Sequence, residues 1–406
     1  MFTLINKYKT YVALFTSLLC YATTPLLYGD ITGETLQEQL NAGKYDKVIE
    51  EHKGKKDNQS LFTQSLCELS LSLEDFYQTL YKYGARANSR MVGININTPT
   101  ATNPEPEKVS YLAIRKELEV FHDRLHKVEA LLSQADEKEF NLPLDLTTLR
   151  LDVNKDGVYS EGETNISLLL GLAGEQRGRP QQPDALIHFD KSDLLWLRGY
   201  IQISLGVTDL LLAHDFEKSF DMFSNTIFPR PNNNNNELLH ADKDWESAAN
   251  IIASIHLLQM DVIEPQRLKN AHQHFLNMTK ESRIMMKSIM QETDNDREWI
   301  PSPKQDSVTG IKITEAMAKE WENVLIEIEA VLEGENLIPH WRVAEGKGIN
   351  LKRVFHETKH TDFILWATGH AAMPYIEEGK ITPPATWRRL NRVFGNNLLG
   401  TSFFIN

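Results

Sequence analysis

Leu61-Phe62-Thr63-Gln64-Ser65-Leu66-Cys67-Glu68-Leu69-Ser70-Leu71-Ser72-Leu73-Glu74-Asp75-Phe76-Tyr77-Gln78-Thr79-Leu80-Tyr81-Lys82-Tyr83 returns an apolar residue at every third or fourth position: Phe62, Leu66, Leu69, Leu73, Phe76 and Leu80. At the α-helical period those residues fall on one face, so the stretch predicts an amphipathic helix. Cys67 lies beside the stripe and reads as a buried, inert thiol. Residues 111–132 repeat the pattern with Ile114, Leu118, Phe121, Leu125, Val128 and Leu132. Between them, the Thr, Asn and Pro content of 95–107 predicts a loop. Outward from this pair, residues 30–51 read as a helix-turn-helix around Gly43-Lys44-Tyr45. Further helices are expected at 190–217, 244–260, 265–291, 314–333, 361–377 and 384–394. No segment sustains the apolar alternation of a strand, so the class is mainly α, a helical bundle or stacked helix pairs.

The first residues carry Lys7 and Lys9 without an acid, then the apolar run 11–20 and the small residue Ala22. Those parts predict a secretory signal peptide over 1–22. Pro25 and the shortness of the run count against a spanning helix, so no membrane span is expected after cleavage. The formal net charge is −13, and loss of Lys7 and Lys9 takes it to −15. Such acidity disfavours nucleic acid and anionic membranes, which need clustered cations. Arg388, Arg389 and Arg392 beside Trp387 read as a solvated helix face. After cleavage Cys67 is the one remaining thiol, which leaves no internal disulfide. A secreted or periplasmic chain of this kind draws its stability from its core and its ligands. Pro231 with Asn232–Asn236, and Pro301-Ser302-Pro303, are breaks. With apolar helices on both sides of each, they suggest one large α domain with long loops, or a division near residue 300 into a helical domain over 23–300 and a C-terminal helical region over 301–406.

Asp152-Val153-Asn154-Lys155-Asp156-Gly157-Val158-Tyr159-Ser160-Glu161-Gly162-Glu163 is the segment whose chemistry can be named. A Ca²⁺ ion takes six to eight oxygen ligands, which a twelve-residue loop supplies from positions one, three, five, seven, nine and twelve. Asp152, Asn154 and Asp156 offer side-chain oxygens, Val158 a backbone carbonyl, Ser160 a hydroxyl or a bridging water, and Glu163 a closing carboxylate. Gly157 stands at position six, where the chain turns sharply.

This segment resembles the EF-hand calcium-binding loop. The resemblance covers twelve residues and implies one bound Ca²⁺, with Tyr159 at the position that packs against a partner loop in that family. It also implies a helix on each side. The outgoing run 164–172 suits one, whereas the incoming run 141–151 holds Pro143 and leaves room for barely two turns. No second loop repeats the ligand order, which favours a structural clip over a paired sensor.

His356-Glu357-Thr358-Lys359-His360 matches H-E-x-x-H. On a helix, His356 and His360 would share a face and bind Zn²⁺ while Glu357 activates water, with His370 as a conceivable third ligand. Lys359 and Asp362 depart from the zinc-peptidase pattern, where these positions are uncharged or apolar. Glu292, Asp294, Asp296 and Glu298 beside Trp299 read as a solvated helix end, although paired carboxylates with an aromatic platform also suit glycosides. Asp190-Lys191-Ser192-Asp193 before Trp196 reads as a buried polar network. Nucleophile-elbow, phosphate-loop, C-x-x-C and dinucleotide signatures are missing. The sequence thus predicts an exported calcium-binding helical protein with no catalysis assigned; the alternative is a secreted zinc hydrolase using His356, Glu357 and His360.

Overall fold

The computed structural model describes residues 34–86, 88–91, 94–97, 102–146, 148–159, 163, 186–232, 252–253, 255–308 and 312–383. The signal-peptide segment, Ser160, the helix expected at 164–172 and the one expected at 384–394 with its arginines lie outside the described residues. The chain is mostly helical, as its periodicity predicts. It divides into two compact units: Met1–Leu194 with Asn225–Asn232 and Gln291–Lys312, and Leu195–Ser224 with Asn233–Met290 and Ile313–Asn406.

The first unit is built on α1 (Leu36–Asn41), α2 (Tyr45–His52), α3 (Asn58–Lys82) and α4 (Tyr111–Leu132). Thr35 and Glu38 close a reciprocal capping box at α1, and Asp57 and Ser110 accept backbone N–H groups at the starts of α3 and α4. α3 packs against both α2 and α4. Phe62, Leu66 and Leu69 are buried as their spacing predicts, and Phe76 meets Phe121 at 5.7 Å between ring centroids. In its second half Ser72, Glu74 and Tyr77 are buried while Leu73, Phe76 and Leu80 are half-buried. A second face of the helix is therefore covered there. Asn58, the first residue of α3, donates from its side chain to the carbonyls of Asp136 and Lys138.

A short hairpin, β1 (Asn88–Met91) with β2 (Ile94–Asn97), occupies the front of the expected loop at 95–107. Its four-residue strands are too short to register as sustained alternation. β3 (Leu142–Leu144) pairs antiparallel with β4 (Ile187–Phe189). Pro301 and Ser302 are buried, so the expected break near residue 300 is a packed part of the first unit.

In the second unit, α5 (Lys191–Leu212), whose first turn belongs to the first unit, continues to Leu212 and is followed by α6 (Glu217–Ile227), α7 (Pro265–Ile289) and α8 (Glu315–Leu332). Between α5 and α6 lies β5 (His214–Asp215). It pairs with β6 (Gln259–Val262), which in turn pairs with β8 (His360–Asp362). β6 takes the end of the helix expected at 244–260. A second small sheet joins β7 (Lys347–Ile349) to β9 (Ile376–Glu378). α9 (Leu351–Glu357) follows β7, and α10 (Phe363–Ala367) follows β8. The single helix expected at 361–377 is thus a strand, a short helix, a 3₁₀ turn and a second strand. Asp362 caps α10 at two N–H groups, and Gly369, with φ at +84°, turns the chain away after it.

Asp209 has no exposed side-chain surface and receives Arg267 Nη1 at 3.0 Å. Removing the guanidinium takes the closest cation from this buried carboxylate and leaves His274 Nε2 at 3.8 Å, a loss of about 3 kcal/mol for such pairs. Urea denaturation of Arg267→Ala is expected to show a fall of that order, largely recovered when Asp209→Asn is added. Equal midpoints for Arg267→Ala and the parent would contradict the assignment.

Candidate functional site

Leu144, Leu146, Leu149, Leu151 and Val153 are all buried, so the chain reaches Asp152 through anchored apolar residues. No helix leads in: β3 and a turn replace the two turns for which the sequence left room. Tyr45 donates its hydroxyl to the Arg150 carbonyl at 2.6 Å, and Arg150 Nη1 donates to the Tyr159 carbonyl at 3.0 Å. α3 holds the loop's first residue by its backbone. Glu74 accepts the Asp152 N–H at 2.8 Å, and Gln78 donates to the Asp152 carbonyl at 2.7 Å. Burial, with the Asp152 charge beside it, pushes the Glu74 carboxyl up to about 7.

Inside the loop, the two Asp152 oxygens accept the N–H groups of Asp156 and Gly157 at 3.1 and 3.0 Å. Asn154 accepts from the Asp156 N–H, and Asp156 accepts from the Val158 N–H. Lys155 and Gly157 take positive φ, 60° and 78°, which coils the backbone tightly. Glu163, eleven residues after Asp152, returns to the start. Its Oε1 accepts the N–H of Val153 at 3.1 Å and of Asn154 at 3.4 Å, and its carbonyl accepts from Leu151. Asp152 and Glu163 are buried, whereas Asp156 and the Val158 side chain face solvent.

Tyr159 packs against the turn between α1 and α2. Its ring lies on Gly43, where an added Cβ would fall 2.1 Å from ring carbons, and Gly43 itself has φ +66°. Burial pushes the Tyr159 phenol up to about 12. The donor set of carboxylates, one amide and one carbonyl is hard oxygen chemistry that suits Ca²⁺ and not a thiophilic metal.

Among the described residues, the group in which three carboxylate, thiol or imidazole ligand atoms come within 4.8 Å of one another is elsewhere: Asp190, Glu292 and Glu298. Two acidic segments that the sequence leaves separate are joined here. Asp190 caps α5 by accepting from the N–H groups of Ser192 and Asp193, and Asp193 accepts the Asp190 N–H in return. Glu292 accepts from the Ser192 hydroxyl and, at 3.3 Å, from the Gln305 amide. Glu298 is buried and accepts the Asp296 N–H, whereas Asp294 and Asp296 are exposed, so the expected solvated helix end holds for those two residues and not for Glu298. Burial, reinforced by the Asp190 charge, pushes Glu292 up to about 8 and Glu298 up to about 7, and burial drives Asp190 and Asp193 upward as well. The sequence signal was two acidic runs beside tryptophans; about a hundred residues between them hid the partnership.

The H-E-x-x-H reading is corrected by local geometry. α9 ends at Glu357, Thr358 is extended with ψ 130°, and His360 is drawn into β8. His356 and His360 therefore share no helix face. His360 Nδ1 meets Asp261 at 2.7 Å, Glu357 is held by Arg353 at 2.8 Å, and His356 faces His272. His370 Nδ1 lies 3.2 Å from the Thr368 hydroxyl. No helix among the described residues is long and apolar enough to cross a membrane. The chain matches no protein-family model, no curated protein and no solved structure.

Because Glu292 and Glu298 hold protons more tightly folded than at the ordinary carboxyl value of about 4.3, their contribution is full below about pH 4 and is lost as pH rises through about 7 to 8. Glu292→Gln is expected to flatten the pH dependence of the urea midpoint and to be the more stable chain at about pH 8.5. Parallel curves for the two proteins would refute the shift.

Proposed function

We propose that the chain is an exported, mainly helical calcium-binding protein in which Asp152, Asn154, Asp156, Val158, Ser160 and Glu163 hold one Ca²⁺ that clips an EF-hand-like loop to the helical body. The observation that carries this reading is the return of Glu163 to the Val153 and Asn154 N–H groups. It brings the closing carboxylate to the beginning of the twelve-residue segment. The Asp152 bonds to Asp156 and Gly157 support it, because they coil the backbone in the sense that turns neighbouring oxygens inward.

The role is structural. Sensor loops work in pairs that open helices, whereas here the incoming side is a strand and Tyr159 rests on Gly43. Three carboxylates gathered with few cations repel one another, and a dication removes that repulsion. With a dissociation constant near 10⁻⁴ M in millimolar Ca²⁺, linkage adds about 1.4 kcal/mol to the folded state. No catalysis is assigned, and the broken helix at Thr358 leaves the zinc-hydrolase alternative without its ligand geometry.

Calorimetric titration with Ca²⁺ is expected to give one site, together with a rise in melting temperature in millimolar Ca²⁺. Asp152→Ala combined with Glu163→Gln removes both. A calcium-induced rise that survives the double substitution would refute the site.

A further inference from the structure

His272 of α7 is buried, and its Nε2 lies 2.8 Å from the carbonyl oxygen of Leu332, the last residue of α8. A carbonyl only accepts, so Nε2 carries the proton and the neutral ring presents a bare Nδ1 on its other side. That nitrogen is 3.2 Å from Nε2 of His356, on the last turn of α9. The rings stand nearly perpendicular, at 81°. His272 packs against Phe355 on one side, while His356 is exposed.

From this geometry we propose a transition-metal site, distinct from the calcium loop, in which His272 Nδ1 and His356 Nε2 bind one imidazole-preferring divalent ion such as Cu²⁺, Zn²⁺ or Ni²⁺. Two nitrogens bound at 2.0–2.1 Å to a tetrahedral ion stand about 3.3 Å apart, which is close to their present separation. The ion sits off the line between them, and a small rotation of the exposed His356 directs its nitrogen there. The Nε2 proton of His356 moves to its solvent-facing Nδ1, so the exchange needs no net proton release.

Three surroundings favour the site. The Leu332 carbonyl fixes the His272 tautomer and ring angle, the outer-shell role that such a partner plays for metal-bound imidazoles. As the end of α8, it also belongs to the negative pole of a helix. Solvent reaches the His356 side, where water completes the coordination. Opposing these are the ammonium groups of Lys269 and Lys352. The second is paired with Glu333 at 2.8 Å, which moderates its field. Two ligands beside two lysines describe a weak, exchangeable site, and oxygen-preferring Ca²⁺ does not compete for it.

The test is Cu²⁺ titration of the tag-free chain in millimolar Ca²⁺, followed by electron paramagnetic resonance. One saturable equivalent with splitting from two imidazole nitrogens is expected. His356→Ala, a surface change that leaves the fold intact by circular dichroism, is expected to lose that signal and more than about 10-fold in affinity, the loss that removal of even an outer partner causes. Lys352→Gln is expected to tighten binding, and Asp152→Ala to leave it unchanged. Copper binding with the same affinity and spectrum in the parent and in His356→Ala, or no stoichiometric binding by the parent, would overturn the site.

Discussion

Two hydrogen bonds from one helix fix the position of the 152–163 segment. Glu74 and Gln78 are four residues apart and so project from the same side of α3. Between them they satisfy both backbone groups of Asp152. Backbone groups in a buried setting are costly to leave unpaired, so this clamp replaces the helix that would otherwise lead into such a loop. It also leaves the Asp152 side chain to be directed into the turn. Glu74, off the apolar stripe, is buried where it meets the Asp152 N–H.

The two acidic groups of the first unit meet the same electrostatic difficulty by different means. In the loop, the Asp152 and Glu163 carboxylates accept from backbone N–H donors at Asp156, Gly157, Val153 and Asn154. In the cluster of Asp190, Glu292 and Glu298, burial and the Asp190 charge push the two glutamates upward. The first arrangement suits a hard cation. The second is accounted for by the capping of α5 and by the Ser192 and Gln305 bonds to Glu292.

Local periodicity carried the long helices. Residues 111–132 coincide with α4, and the apolar spacing of 61–83 locates α3, because i, i+3 and i, i+4 contacts need no knowledge of distant chain. The loop was legible for the same reason, since its ligand order is contained in twelve residues. What spacing could not reveal depended on remote partners. Residues 361–377 look helical until β6 draws His360–Asp362 into a strand, and that pairing also separates His356 from His360. The meeting of Asp190 with Glu292, and of His272 with His356, joins segments far apart in sequence. Tyr159 was expected against a partner loop by resemblance. Its contact with Gly43 depends on how the first two helices turn.

Asn58 illustrates how a surface-looking signal is absorbed by packing. Asn58-Gln59-Ser60 has the form of an acceptor for N-linked glycans, yet its amide is committed to the carbonyls of Asp136 and Lys138 and the residue is buried. A folded chain offers no access for an oligosaccharyltransferase there. A sugar attached during synthesis would occupy the space that α3 needs at its first turn. Production of this chain in a host with a glycosylating secretory pathway therefore sets modification and folding in competition at Asn58.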